Sequence, residues 1–126
     1  MENSLSQKFP SDPSKYDFSN HFREDVIKDD PRHLSWKKAL GTIRRGELAK
    51  ASGSADVEWV RDYHGVKVFI LAGWNSKEEV PVVVTGWAAV HDPQQAVQSG
   101  RWTETQLRDI HEFNDGEGLE VAFDYP

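Results

Sequence analysis

The sequence predicts an α+β domain: N-terminal helices packed on a three- to four-stranded antiparallel sheet, with an extra C-terminal helix. Three observations carry that expectation. Apolar residues recur at helical spacing over 36–43, the period switches to two from Val57 onwards, and helical spacing returns after Thr103. The chain has 126 residues, 37% of them hydrophobic. A chain of this length buries roughly two thirds of its unfolded surface. A single domain over 19–126 is expected behind a flexible N-terminal arm, 1–18.

That arm, MENSLSQKFPSDPSKYDF, mixes Ser, Pro, Asn and Asp with few apolar side chains, too few to offset the entropy of ordering its backbone unless it docks. Asn20 then caps a short helix whose Phe22, Val26 and Ile27 form one apolar stripe, and Asp29-Asp30-Pro31 stops it. Ser35 caps a second helix in which Trp36, Ala39, Leu40 and Ile43 follow the i, i+3, i+4, i+7 pattern, with Gly46 placed for a left-handed cap. Beyond a Ser-Gly-Ser turn at 52–54, Val57, Trp59, Arg61 and Tyr63 share one face of a strand. His64-Gly65 is a two-residue hairpin turn. The nearly continuous apolar run VKVFILAGW from Val66 predicts a central strand covered on both faces. Val80 to Val90 continues the meander, with Pro81 near its start, where a missing donor is tolerated. One or two helical turns follow over 93–98. Thr103 and Gln106 have capping-box spacing ahead of Leu107, Ile110 and His111, with Gly116 ending that helix. Val121, Phe123 and Tyr125 alternate as a further strand or extended segment.

Composition removes several function classes. With no cysteine, disulfide scaffolds, thiol nucleophiles and cysteine-ligated metal sites are excluded. No apolar run reaches the 18 or so residues of a membrane span, and the N-terminus lacks the apolar stretch of a secretory signal, so a cytoplasmic protein without a membrane partner is expected. Phosphate-binding glycine loops, HExxH and GxSxG are all missing. None of His21, His33, His64, His91 and His111 pairs with another at helical metal spacing, so neither metal nor cofactor is expected.

The net charge of −6 hides a change of sign along the chain. Residues 1–31 carry four basic and seven acidic side chains, 32–68 carry eight and four, and 69–126 carry three and ten. A basic middle between acidic flanks offers a local site for polyanions, although solvated helix and strand faces read the same way. Metal-free RNA cleavage needs a base for the 2′-hydroxyl, an acid for the leaving oxygen and cations for the phosphate. Arg61, His64 and Lys67 bracket the hairpin, and Arg44 and Arg45 end the preceding helix, so these five are candidates to converge on one phosphate. Each has an ordinary reading too: Arg44 and Arg45 complement the helix dipole, and His64 suits a turn. His21 heads the first helix, and Thr85 with Gly86 interrupts a valine-rich strand, marking a bulge or close approach. Trp36 and Trp59 lie on core stripes, while Trp74 and Trp87 sit towards strand ends, where either packing or stacking on a base would use them.

The stretches "HFREDVI", "SWKKALGTIRRGE", "VEWVRDYHGVKVFILAGW" and "VPVVVTGW", in this order over about 21–90, resemble the RelE/ParE-like toxin superfamily, the barnase–EndoU–colicin–RelE-type fold. That resemblance implies a curved antiparallel sheet against N-terminal helices, RNA as partner, metal-independent cleavage, and a cognate antitoxin or other protein partner. It also implies roles: Arg61 and Lys67 neutralise phosphate, His64 or His21 moves protons, and Thr85 hydrogen-bonds the substrate; Arg44, Arg45 and Trp87, read from their placement in the chain, complete the expected binding surface. The last strand lacks the basic residue that many active members place late in the sheet. A non-catalytic module, docking a protein through its sheet or its acidic C-terminal helix, is the competing class.

Overall fold

The computed structural model describes residues 7–28, 32–51, 53 and 55–117. A short 3₁₀ turn, Pro13–Lys15, leads into β1 (Asp17–Phe18) and a helical turn of π type, Phe22–Val26. Then come α1 (Trp36–Arg45), β2 (Glu47–Lys50), β3 (Val57–Tyr63), β4 (Val66–Asn75), β5 (Val80–Val90), α2 (Pro93–Gln98) and α3 (Glu104–Glu117). The α+β class is as expected, but among the described residues the sheet is five-stranded and mixed, in the order β1-β5-β4-β3-β2. β1 pairs in parallel with β5 at Val82 and Val83, while the other pairings are antiparallel.

Register places Val57, Trp59, Val66, Val68, Ile70, Ala72, Val83, Ala88 and Val90 on one face. These join Phe22, Val26, Ala39, Ile43, Leu107 and Ile110 in one core, so the helices' buried residues lie against that side of the sheet. The opposite face presents Val60, Lys67, Phe69, Leu71, Thr85 and Trp87, each half-buried. β4 is thus central in the sheet but fully buried on one face only, which corrects the expectation of cover on both.

Local signals explain most boundaries. Ser35 Oγ accepts from Lys38 N and caps α1. The predicted capping box is present: Thr103 N donates to Gln106 Oε1 at 2.9 Å and Gln106 N to Thr103 Oγ1 at 3.1 Å. His64 and Gly65 have φ of 53° and 95°, the left-handed pair of a primed hairpin turn. Gly46 is a correction, since its φ of −77° is not left-handed. A Cβ there would lie 2.4 Å from Thr42 O and 2.8 Å from Val60 O, so close packing of the chain between α1 and β3 requires glycine. α3 runs one residue past Gly116. The cap of the first helical turn is Ser19, whose Oγ accepts from Phe22 N, rather than Asn20.

From residue 7 onwards the N-terminal segment is docked. Phe9 is buried edge-on to Trp74 at 6.2 Å, and Tyr16 is buried with its hydroxyl donating to Pro10 O, its phenol pushed up in pKa by burial. Trp59 is buried as expected, whereas Trp36 is 39% exposed and packs edgewise on Phe18 and Phe22. The stop at 29–31, the turn residues Ser52 and Ser54, and the alternation of Val121, Phe123 and Tyr125 lie outside the described residues. Among the described residues no helix is long and apolar enough to cross a membrane.

Candidate functional site: a basic cleft beside the hairpin

A cleft of about 490 Å³ opens between α1, the end of β3 and the loop before α3. Along α1, the residues Ser35, Lys38, Gly41 and Arg45 follow three- and four-residue spacing, so they line one side of the cleft. Lys37 and Arg44 flank that row, Arg61 and His64 enter from β3 and its turn, and Arg101 from the far loop. Among the described residues, six cationic side chains and one histidine therefore surround the space, with no carboxylate in the lining. Lys37, Arg44, Arg45 and Arg101 form no ion pair with any described residue. Outside the lining, Asp12 feels Arg44 alone among these cations, as the smallest of several influences. Hydrogen bonds from Ser14 hold its carboxyl below the usual range, and the charges of Lys15 and Arg44 add to that effect.

The floor is aromatic and tied together. Tyr63 donates its hydroxyl proton to Lys38 O at 2.9 Å and accepts from Arg61 Nη1 at 3.3 Å, while Arg61 Nη1 also donates to Gly41 O at 3.2 Å. The guanidinium lies over the Tyr63 ring at 4.7 Å, so one edge is anchored and its remaining donors are available to a ligand. Gly41 makes this possible, because a Cβ there would meet Tyr63 Oη at 2.7 Å and Arg61 Nη1 at 3.1 Å. Trp102, buried, donates Nε1–H to Tyr63 O at 2.8 Å and carries Lys38 Nζ over its ring at 3.9 Å. Burial lowers the pKa of Lys38. Such a cleft suits a multiply charged anion, whose binding relieves the mutual repulsion of the cations.

The predicted site residues divide into three groups. Arg44, Arg45, Arg61 and His64 converge on the cleft as expected. Lys67 does not: it lies opposite Asp62 and Ala89, on the face of the sheet away from Arg61. Trp87 shares that second face and stacks on Phe69, rings 5.4 Å apart and 18° from parallel. His21 and Thr85 meet each other rather than the cleft, with Thr85 Oγ1 3.3 Å from His21 Nε2. Thr85 lies five positions along β5 from Val90, the partner of Val66 beside the hairpin turn, about 17 Å at the rise of an extended strand. The expected irregularity near Gly86 is a bulge at Val84, which the register passes over between Thr85↔Leu71 and Val83↔Ala72.

Lys37, Lys38, Tyr63, Arg101 and Trp102 line the cleft in addition to the expected site residues. Arg101 and Trp102 follow the positive-φ Gly100 in a connection without periodicity, and nothing local announces that this loop folds back onto β3. A second groove, about 560 Å³ between α2 and α3, is lined among the described residues by Val97 and Leu107 with one acid and one base, Glu104 and Arg108, without convergence of like charge. Comparison with protein-family models, curated proteins and solved structures returns no match.

Proposed function

We propose that the chain is an RNA-binding domain that holds the phosphates of its ligand in the basic cleft and cleaves there by 2′-hydroxyl attack, as the resemblance to RelE-like toxins implies. The observation that carries the binding reading is the ring of six cations, with no carboxylate among the described residues that line it. Arg61, braced by Tyr63, supplies a planar fork for one phosphate, and Arg44 and Arg45 supply charge beside it. His64, held at the rim by the hairpin turn, is the proton-transfer group that this reading assigns. Lys67 and Trp87 fall outside the proposed contact surface because they face the other side of the sheet.

The test pairs binding with cleavage on one oligonucleotide. Titration of a fluorescent single-stranded RNA at low and moderate salt should give a linear loss of log affinity with log salt, the slope set by the phosphates engaged. Cleavage should leave 2′,3′-cyclic phosphate ends and be lost in His64→Ala while binding persists. No binding at low salt would overturn the reading. Binding without cleavage would reduce it to a non-catalytic RNA module.

A further inference from the structure

Away from the cleft, three side chains are joined in a line. Thr85 Oγ1 lies 3.3 Å from His21 Nε2, and His21 Nδ1 lies 3.0 Å from Asp25 Oδ2. The line is set by the fold on both sides. His21 and Asp25 stand one turn apart on the helical segment whose Phe22 and Val26 are fully buried, and Ser19 ties that segment to β5 through bonds to Val83 O and Val84 O. Thr85 follows the bulge in β5, a feature that re-aims side chains.

A carboxylate on Nδ1 selects the tautomer that carries its proton there and leaves the Nε2 lone pair facing the threonine hydroxyl. Hydroxyl, imidazole and carboxylate in that order form the arrangement that activates an alcohol as a nucleophile, and it is commonly loose before substrate binds. The His21 and Asp25 side chains are 49% and 57% exposed, so an ester carried on a larger molecule reaches the line and water reaches it afterwards.

We propose that Thr85, His21 and Asp25 form a nucleophilic relay for hydrolysis of exposed carboxylic esters, a site independent of the RNA reading. Thr85 Oγ1 bonds to the ester carbonyl carbon as its proton passes to His21 Nε2 and the carbonyl electron pair moves onto oxygen. Collapse breaks the ester C–O bond, and the leaving alcohol takes the proton from Nε2, which leaves acyl-Thr85. Water then attacks, giving its proton to Nε2. That proton returns to Oγ1 as the carboxylic acid departs, so ester and water become acid and alcohol. Asp25 keeps the imidazole oriented throughout.

The experiment uses p-nitrophenyl acetate with the full chain. Relative to the unmodified chain, Thr85→Val and His21→Ala should each lose about 100-fold in turnover, the low end of what positioned proton transfer contributes. Asp25→Asn should lose less, Thr85→Ser should retain activity, and acid-quenched digests should carry acetyl on Thr85. Valine is a β-branched near-isostere suited to a strand, so retained circular dichroism keeps the comparison interpretable. Wild-type turnover in Thr85→Val would mean simple imidazole catalysis and would overturn the relay. So would an absence of turnover in the unmodified chain, or acetyl found on lysines alone.

Discussion

Tyr63 shows how one side chain organises the cleft. Its hydroxyl gives a hydrogen bond to Lys38 O and accepts one from Arg61, while its own carbonyl accepts from Trp102. Tyr63→Phe removes the first two and keeps the ring, so it should lower stability by about 1 kcal/mol, measured by urea unfolding, and weaken RNA binding by loosening Arg61. Lys38 sits over Trp102 with its pKa lowered by burial, so the unfolded chain holds its proton to higher pH than the folded one does. The cost of its buried charge is therefore complete below the folded pKa and fades as pH rises through that value towards 10.5, the ordinary lysine value. Unfolding free energies of the unmodified chain and Lys38→Met, compared from neutral to alkaline pH, should move in favour of lysine as pH rises. A constant difference would contradict that.

At the scale of elements, structure was legible wherever its cause was local. Ser35 and the Thr103–Gln106 box were readable because each cap needs a residue of the right type only three positions from its partner. Ser35→Ala should cost about 1 kcal/mol of stability. Ile70 lies at the buried centre of β4, and Ile70→Ala should cost about 2–5 kcal/mol by the same denaturation measurement. β1 and β2 were not legible. Two residues at Asp17–Phe18 carry no period, and their pairing with β5 spans some 65 positions; Glu47–Lys50 is a mostly exposed edge without apolar alternation. The site was legible in part for the same reason. Arg44, Arg45, Arg61 and His64 lie close together in the chain, at the end of α1 and on β3 and its turn, whereas the loop bearing Arg101 and Trp102 arrives from far along the chain. The displacement of Lys67 was implicit in the hairpin: a two-residue turn pairs Asp62 with Lys67 and Arg61 with Val68, so Arg61 and Lys67 take opposite faces. The partnership of His21 and Thr85 needed, besides the bulge that Thr85 and Gly86 signal, the parallel pairing of β1 with β5, which no spacing shows.

For the whole molecule, a net charge of −6 coexists with a cleft whose lining is cationic. The acidic remainder repels polyanions generally, so association should be confined to one face and fall steeply with salt. The decisive comparison is the salt dependence of RNA affinity in the unmodified chain, in Arg44→Ala/Arg45→Ala, and in Lys67→Ala. Removing the two cleft arginines should reduce the magnitude of the log–log slope by about 1.4, or about 0.7 for each lost phosphate contact on a single strand. Lys67→Ala should leave the slope unchanged. Equal slopes in all three proteins, or a loss confined to Lys67→Ala, would contradict a phosphate site in the cleft.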